Sequence, residues 1–522
     1  MTCRPTASPQ SLGTRPSSDR PHDPGSSRLR APGPASRFAT GVTAAVLAAS
    51  GLAACTPGDT AQIEYAAGGE TLTASADDAA QATITASRAT YSSADVVAVG
   101  PADSAEAVAA ISSDLRIPAL LGDPAQVEDE LTRLDAGTVL VPAGTSWDAG
   151  EERETLEFDP ADLSVDGDAP EIENPDAEAP VTLFLDPTDA DAPAVTVARA
   201  SVEAAGGAVV GAPGADPRAT ADTVAAAQEA EGDTVVAIGE GFGDPDALDA
   251  RLATARTAPE LPGGGQVAFP GRRMIAAYGS PGIPSLGILG EQDLDKTVDR
   301  VTELAASYDE SSDVPVIPAM EIITTVASSQ PGADGDYSSE IDPETLKPWI
   351  DRAAEEGIYV VLDLQPGTTH FLEQAKLYED LLKEPHVGLA LDPEWRLKDG
   401  QRHLAQIGSV SAEEVNEVSD WLADLTAEND LPQKVFVLHQ FSASMISDRE
   451  DIDASRDELA VLFHADGHGT PDLKMATWNR LKEDLPSGAR MAWKNFYDED
   501  TPTFTPDETM EVDPAPWFVS YQ

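Results

Sequence analysis

The sequence predicts an α/β protein with N-terminal Rossmann-like parallel-sheet modules followed by a C-terminal (β/α)8 (TIM) barrel. Short apolar runs alternate with segments of helical spacing along most of the chain, and this pattern is typical of buried parallel strands joined by helices. The composition also changes near residue 265, because no lysine precedes Lys296 and six of the seven tryptophans lie at or after Trp349. Two regions of different character are therefore expected.

The N-terminal segment has the character of an export signal. An uncharged stretch from Phe38 to Cys55 follows several arginines and is too short to span a bilayer comfortably. Its last residues, "LAAC", resemble the lipobox of bacterial lipoproteins. That resemblance implies that residues 1–54 are removed as a signal peptide and that Cys55 is acylated. It also implies a protein anchored to the cell membrane and facing the cell wall, with residues 55–84 as a lipidated tether.

The net charge excludes a nucleic-acid-binding protein, and the cysteine content excludes a fold stabilised by disulfides. Acidic residues outnumber basic ones 92 to 33, for a formal net charge of −59. Nucleic acid is therefore excluded as a partner, because its phosphates require clustered lysine and arginine. The only cysteines are Cys3 and Cys55, so the exported chain has no disulfide framework and its domains depend on their own hydrophobic cores.

The first region, residues 85–262, is expected to contain a buried parallel sheet. Its strand-like runs are "DVVAVG", "IPALLG", "GTVLVPAG", "VTLFLD", "AVVG" and "DTVVAIG". An acidic, proline-containing stretch at 148–180 interrupts the pattern as a loop or insertion. The segments "ADVVAVGPADSAEAVAAI" and "DTVVAIGEGFGDPDALDARL" resemble each other, which indicates an internal duplication. "PGGGQ" at 262–266 has the composition of a flexible linker.

A family resemblance appears in the segment "ADVVAVGPADSAEAVAAISSDLRIPALLGDPAQVEDELTRLDAGTVLVPAG". It is similar to the cell wall-binding repeat 2 modules of Gram-positive surface proteins. Both have a strand, a glycine turn, an alanine-rich helix, a "P-x-L-L" strand and a "V-x-V-x-x-G" strand. The resemblance extends over about residues 85–260 and implies binding to a wall polymer, with no catalytic residue carried over.

The second region, residues 270–522, is expected to form the barrel. Eight apolar runs occur in it: "RRMIAAYG", "VPVIPAMEI", "GIYVVLDLQ", "VGLALDPE", "KVFVLHQF", "LAVLFHADG", "ARMAWKNFYDE" and "PWFVSYQ". The clearest helical segments between them are "DLDKTVDRVTELAASY", "PETLKPWIDRAAEEG", "SAEEVNEVSDWLADLTAEN" and "TPDLKMATWNRLKED". Eightfold alternation of strand and helix over about 250 residues predicts a (β/α)8 barrel.

Active sites of such barrels lie at the carboxyl ends of the strands, so the polar residues there are the candidate site. The residues expected to bind substrate are Tyr278, Gln365, Trp395, His439, Gln440, His464, Asp466, Lys494, Tyr497 and Tyr521. Four carboxylates are the candidate catalytic groups: Glu321, Asp363, Asp392 and Glu394. No cofactor is implied.

The stretch "VGLALDPEWR" combines two carboxylates with an aromatic side chain. Residues two apart on a strand share a face, so Asp392 and Glu394 are expected to point into the barrel mouth together. Trp395 offers a platform on which a sugar stacks, and paired carboxylates suit glycoside hydrolysis.

The "D-x-E" of this stretch resembles the end of the chitinase-type (glycoside hydrolase family 18) signature. That resemblance implies Glu394 as general acid beside Asp392. The two upstream aspartates of the signature fall on Val387 and Ala390, so the substrate-assisted mechanism is not carried over. Glu321 and Asp363 are the candidates for nucleophile or base.

The sequence leaves two alternatives to hydrolysis of a cell-wall or environmental polysaccharide. His439, His464, Asp466 and His468 have residue types that hold a divalent metal in hydrolases. The barrel rim is alternatively a wall-binding or scaffolding surface without catalysis. For Lys494, an ion pair with a rim acid is favoured over a Schiff-base role.

Overall fold

The structure is a computed structural model, and it describes residues 60–148, 150, 152–167 and 170–522. The predicted signal peptide, Cys55 and the beginning of the predicted tether lie outside the described residues. Within those ranges, no helix has both the length and the apolar character needed to cross a bilayer.

The first region is built from short strands and helices. Its strands are β1 (Ala61–Tyr65), β2 (Thr71–Ala74), β3 (Tyr91–Ala94), β4 (Val96–Gly100), β5 (Ala119–Leu121), β6 (Thr138–Pro142), β7 (Glu154–Phe158), β8 (Ile172–Glu173), β9 (Val181–Leu185), β10 (Ala208–Gly211) and β11 (Thr234–Ile238). Its helices are α1 (Ala79–Thr90), α2 (Ala105–Leu115), α3 (Pro124–Arg133), α4 (Pro193–Ala204), α5 (Ala221–Glu229) and α6 (Pro245–Thr257).

These strands form two four-stranded parallel sheets and a smaller three-stranded sheet. The orders are β5-β4-β6-β7, β10-β9-β11-β2 and β3-β1-β8. Every residue of β4 and β11 is buried, which explains why both strands are continuously apolar. The α/β parallel architecture is therefore confirmed.

Two sequence interpretations of this region are wrong. Most of the predicted tether is folded, because β1, β2 and the start of α1 lie within residues 61–84. The α1 helix begins there because the Asp78 carboxylate accepts a hydrogen bond from the backbone N–H of Gln81, which caps the helix. The interruption at 148–180 also contains structure, since β7 pairs in parallel with β6 along its full length.

The segment expected to be a flexible linker is a packed turn. Gly263, Gly264 and Gly265 have φ values of 85°, 87° and 70°, a backbone conformation that glycine adopts at little cost. Gln266 is fully buried, and its Nε2 donates to the carbonyl oxygen of Ala258 at 2.7 Å. The glycines are therefore required by the geometry of the turn.

The second region contains the barrel strands and their helices. The strands are β12 (Arg273–Gly279), β13 (Val316–Thr325), β14 (Tyr359–Leu364), β15 (Val387–Leu391), β16 (Val410–Ser411), β17 (Lys434–Gln440), β18 (Ile446–Ser447), β19 (Leu459–Ala465), β20 (Arg490–Asn495) and β21 (Phe518–Tyr521). The helices are α7 (Leu294–Ala306), α8 (Pro343–Glu355), α9 (Phe371–Ala375), α10 (Glu379–Leu382), α11 (Ala412–Glu428), α12 (Pro471–Lys482) and α13 (Pro506–Met510).

Eight of these strands close into a parallel barrel in the order β12-β13-β14-β15-β17-β19-β20-β21. The first and last strands pair with each other, from Met274 opposite Phe518 to Ala277 opposite Tyr521. Each predicted apolar run corresponds to one barrel strand, so the expected closed parallel barrel is confirmed. The short strands β16 and β18 pair separately.

The first region covers the amino-terminal end of the barrel. Leu261, Ala268 and Phe269 belong to the same buried cluster as the inward-facing barrel residues Met274 and Val361. These three side chains close the floor of the barrel, and we call the segment 261–269 the plug. Close packing of this kind stabilises a fold through the apolar area it removes from water.

Ion pairs join the same two regions. Asp457 lies two residues before β19, and its carboxylate contacts Arg251 at 2.8 Å and Arg218 at 3.4 Å. Arg218 is buried and also pairs with Asp216 at 2.7 Å. The carboxyl ends of the strands are therefore left as the open end of the barrel.

Candidate functional site

A cavity of about 490 Å³ opens at the carboxyl ends of the barrel strands; we call it the main cavity. Polar side chains on its wall are Tyr278, Gln365, Asp392, Glu394, Asp466, His468, Thr477, Lys494 and Gln522. Apolar side chains on its wall are Leu286, Ile323, Val326, Ala327, Trp395, Phe441, Leu473 and Phe496. The size and the mixed lining are those of a site for a small molecule or for part of a polymer.

The two carboxylates after β15 reach the main cavity through a tight turn. β15 ends at Leu391, and a turn of 3₁₀ helix follows at Pro393–Trp395. Asp392 caps this turn, because its Oδ1 accepts from the backbone N–H of Glu394 at 3.1 Å. Both acids therefore line the cavity as expected, although the turn and not the alternation of a strand puts them there.

The same turn presents Trp395 to the cavity. The Trp395 ring meets the ring of His403 edge-on, with 5.3 Å between their centroids. His403 Nε2 is in turn 2.9 Å from the carbonyl oxygen of Tyr337. The Trp395 ring is therefore packed against His403 while it lines the main cavity.

Beneath the cavity, a buried imidazole bridges two acids. His439 Nε2 lies 2.9 Å from Glu321 Oε1, and its Nδ1 lies 3.2 Å from Asp466 Oδ2. His464 Nδ1 is also 3.2 Å from His439 Nδ1, while its Nε2 contacts the hydroxyl of Ser520 at 3.2 Å. These distances describe one connected hydrogen-bond network.

The charges of this network follow from its contacts. Burial lowers the pKa of His439, but the charges and hydrogen bonds of Glu321 and Asp466 outweigh it and raise the pKa well above its usual range. Burial opposes ionisation of Glu321, yet the His439 charge and hydrogen bond bring that pKa down to about 2. The pKa of Asp466 is lowered in the same way, against the effect of burial. His439 is therefore an imidazolium between two carboxylates.

His464 has the opposite character. Burial and the neighbouring charge of His439 lower the pKa of His464 to about 3. It is therefore a neutral imidazole at ordinary pH, and the single N–H on Nδ1 of His439 is shared between His464 Nδ1 and Asp466 Oδ2.

Three further acids have pKa values above their usual range. Burial raises the pKa of Asp363 to about 6, and the hydroxyl of Tyr278 donates to its Oδ2 at 2.8 Å. Burial and then the charge of Asp363 raise the pKa of Asp392 well above its usual range. Burial and then the charge of Asp466 raise the pKa of Glu394 to about 7. The main cavity is thus lined by an ionised carboxylate, Asp466, and by a proton donor, Glu394.

Lys494 does not form the ion pair expected from the sequence. Its ammonium lies 3.5 Å from the centre of the Tyr278 ring and 5.2 Å from that of Phe496. In the part of the chain that the structure describes, it makes no salt bridge. The side chain is nearly buried, lines the main cavity and is held by cation–π contacts.

The predicted residues that do not line the main cavity fall into two groups, one beneath the cavity and one outside it. Five are completely buried beneath the main cavity: Glu321, Asp363, His439, Gln440 and His464. Unpartnered acceptor atoms occur among them, on Glu321, Asp363 and Gln440.

Tyr497 and Tyr521, which were expected to bind substrate, do not line the main cavity. The Tyr521 hydroxyl is 2.6 Å from that of Tyr308 in the layer between strands and helices. Tyr497 packs against Tyr521 at 5.4 Å and is 46% exposed. Ser520 takes the inward position of β21, because successive residues of a strand point to opposite sides.

Apart from Trp395, the apolar side chains of the main cavity were not predicted from the sequence. Phe441 and Phe496 each follow the last residue of a barrel strand by one position, after β17 and β20. That position was a usable signal, but only polar residues were considered at the strand ends.

The metal-binding alternative is only partly matched by the geometry. Among the described residues, Glu321, His439 and His464 are a group whose possible ligand atoms lie within 4.8 Å of one another. Asp466 and His468 are not members of it, and the His468 ring packs on Phe496 at 5.6 Å. The short contacts of the group are those of hydrogen bonds, which a proton on His439 already explains.

Comparison of the chain with protein-family models, with curated proteins and with solved structures finds no match. Neither family resemblance described above therefore has a matched relative behind it. The main cavity, its proton-holding acids and its aromatic wall are the features that bear on function.

Proposed function

We propose that the protein is a membrane-anchored cell-envelope lipoprotein whose barrel hydrolyses a polysaccharide, with Glu394 as general acid. The observation that carries this proposal is that Glu394, with a pKa of about 7, and the ionised Asp466 line the same cavity. Two carboxyl groups whose environments separate their pKa values are the usual basis of acid catalysis on glycosides.

In this reaction Glu394 gives its proton to the glycosidic oxygen as the bond from that oxygen to the anomeric carbon breaks. The Asp466 carboxylate stabilises the positive charge that develops on the sugar ring. The hydroxyl of a water molecule then joins the anomeric carbon, and the remaining proton of that water returns to a carboxylate of the site. Asp466 takes this role instead of Glu321 or Asp363 because it lines the cavity and they lie beneath it.

The other residues of the site have supporting roles in this proposal. Trp395 is the platform for a sugar ring, and Gln365 and Lys494 offer hydrogen bonds to hydroxyl groups. Asp392 remains protonated beside Glu394 and fixes the turn that carries it. Tyr278 orients Asp363.

The first region is the wall-binding part of this proposal. Its two parallel sheets form the Rossmann-like modules that bind a cell-wall polymer in this proposal, while a lipid on Cys55 anchors the chain to the membrane. The polysaccharide then comes from the cell wall or from the surroundings of the cell.

The proposal is tested by comparing the native protein with Glu394→Gln and Asp392→Asn on purified wall polysaccharides, with release of reducing ends as readout. Loss of general acid catalysis lowers the rate by about 10²–10⁴-fold, so Glu394→Gln is expected to be nearly inactive. Glu413→Gln on the exposed start of α11 is the matched control. Degradation at the native rate by both site variants contradicts the assignment, and binding without any degradation identifies a wall-binding protein.

A metal-dependent hydrolase is the second candidate, which the group Glu321, His439 and His464 favours. Dialysis against a chelator followed by the same assay separates the two candidates. Activity that survives dialysis and is lost in Glu394→Gln supports the general acid, whereas activity lost on dialysis and restored by a divalent ion supports the metal.

A further inference from the structure

A second, smaller cavity of about 270 Å³ lies directly beside the main cavity; we call it the side groove. It is lined by Glu394, Trp395, Leu404, Ala405, Gln406 and Ile407. Glu394 and Trp395 line both cavities. The proposed proton donor therefore stands at the boundary between two binding spaces.

Two large apolar side chains on the wall of the side groove are exposed to solvent. Leu404 is 88% exposed and Ile407 is 52% exposed, and Gln406 is the only fully polar side chain that the loop adds to the groove. Single exposed apolar residues are ordinary. Here, however, four of the six large exposed hydrophobic residues among the described ranges lie in segments that follow barrel strands, namely Ile283, Leu404, Ile407 and Tyr497, and a fifth, Leu473, lies in the first turn of α12.

The loop that carries Leu404 and Ile407 is hydrogen-bonded to the turn that contains Glu394. The Gly408 N–H donates to the carbonyl oxygen of Glu394 at 2.7 Å, and the Ser409 N–H donates to that of Arg396 at 3.0 Å. A Cβ atom on Gly408 would overlap the carbonyl oxygen of Glu394, so this close return requires glycine. The end of this loop therefore lies against the Glu394 turn, with Ile407 directly before the attached Gly408.

Leu404 is also held in a costly backbone conformation. Its φ is 65°, in the left-handed region that branched and bulky residues rarely adopt. Neither packing nor backbone preference accounts for a leucine that is at once exposed and left-handed. Strain of this kind is found where function requires a side chain at a given place.

We propose that the side groove binds the leaving group of the polysaccharide and that a sugar of this leaving group carries an alkyl or acyl chain. The inference rests on the proposed function, in which Glu394 protonates the oxygen between the two halves of the substrate. The main cavity takes the sugar that the carboxylates and Trp395 contact. The side groove takes the other half, where Leu404, Ala405 and Ile407 offer apolar contact to a chain and Gln406 offers hydrogen bonds to the polar group that carries it.

The test uses matched glycosides that differ only in the aglycone, methyl or octyl, of glucose, mannose and N-acetylglucosamine, below their micellar concentrations. Binding to the full chain is measured by isothermal titration calorimetry in the native and Glu394→Gln backgrounds. Burial of several methylene groups predicts that the octyl form of at least one sugar binds about tenfold or more tightly than its methyl form.

The variant Leu404→Ser with Ile407→Ser is expected to bring the two forms to within about twofold of each other, since the apolar contact is lost. Leu377→Ser, at a residue 54% exposed between α9 and α10, is the matched control and keeps the octyl preference. The inference is overturned if no sugar shows an octyl preference, or if the preference survives in the double variant. If the octyl form binds more tightly but no glycan is hydrolysed, the apolar binding site is supported and the proposed hydrolase activity is refuted. If glycan is hydrolysed but no octyl form binds more tightly, the hydrolase activity is supported and the apolar binding site is refuted.

Discussion

His439 donates from Nε2 to the Oε1 of Glu321 over 2.9 Å, and neither side chain has any exposure to solvent. The contact joins β17 to β13 across the interior of the barrel. Because Glu321 stabilises the imidazolium, His439 can hold Asp466 in its ionised form at the cavity wall. A buried charge pair therefore sets the electrostatics of the cavity above it.

Replacement of His439 by leucine is expected to destabilise the protein by about 3–5 kcal/mol, because it leaves two buried carboxylates without their counter-charge. Urea unfolding at neutral pH measures this free energy. The double variant with Glu321→Leu is expected to lose less than the sum of the single variants, by a coupling of about 0.5–3 kcal/mol.

The exposed pair Lys347 and Asp351, with an Nζ–Oδ1 distance of 2.6 Å, is the control for this experiment. Lys347→Ala is expected to change the free energy of unfolding by no more than about 1 kcal/mol. If the losses in free energy of unfolding caused by the His439 and Glu321 variants simply add in the double variant, the two side chains have no energetic coupling.

The pH dependence of hydrolysis is expected to follow Glu394. The carboxyl must be protonated to act as an acid, and its pKa is about 7. The value of kcat/KM is therefore expected to fall by about tenfold per pH unit above that point. The rate persists on the acid side until Asp466 is protonated, below the usual range of an aspartate because its pKa is lowered. A rate that stays constant from pH 6 to 9 would exclude Glu394 as the proton donor.

Two variants are expected to shift the pKa of Glu394 in opposite directions. The negative charge of Asp466 raises this pKa and the positive charge of Lys494 lowers it. Asp466→Asn is therefore expected to lower it and Lys494→Met to raise it. Infrared titration of the protonated carboxyl band measures the pKa without requiring activity, with Glu394→Gln to identify the band. A shift of both variants in the same direction would contradict the proposed arrangement.

Two glycines with the same left-handed backbone are expected to respond differently to substitution. Gly367 has φ 60° and Gly357 has φ 67°. A Cβ on Gly367 would overlap the carbonyl oxygen of Asp336, whereas one on Gly357 meets no atom within 4 Å. Gly357→Ala is expected to cost about 1 kcal/mol for the backbone alone, and Gly367→Ala distinctly more. If Gly357→Ala and Gly367→Ala lower the melting temperature equally, the backbone around Asp336 moves to accommodate the new Cβ atom at little cost.

The barrel was predictable from the sequence because its signals are local. Alternating apolar runs and capped helical segments such as α7 and α11 repeat with little interruption, and closure then follows from their number. The meeting of Asp392, Glu394 and Asp466 at one rim follows from the same rule, since parallel strands bring their carboxyl ends together.

The errors concern features that depend on tertiary structure. Whether Ser520 or Tyr521 faces inward is decided by the register of β21 between β12 and β20, which no local pattern records. The environment of Lys494 likewise depends on the Tyr278 ring from another strand. A glycine-rich composition also does not distinguish a mobile linker from a tight turn, as Gly263 to Gly265 demonstrate.

The plug has a consequence for how the chain can be divided. A fragment that begins at residue 270 would leave Met274, Ala276 and Phe518 facing water at the floor of the ring. The barrel therefore cannot be separated from the first region at residue 270. A fusion of this barrel to another protein has to include residues 261–269.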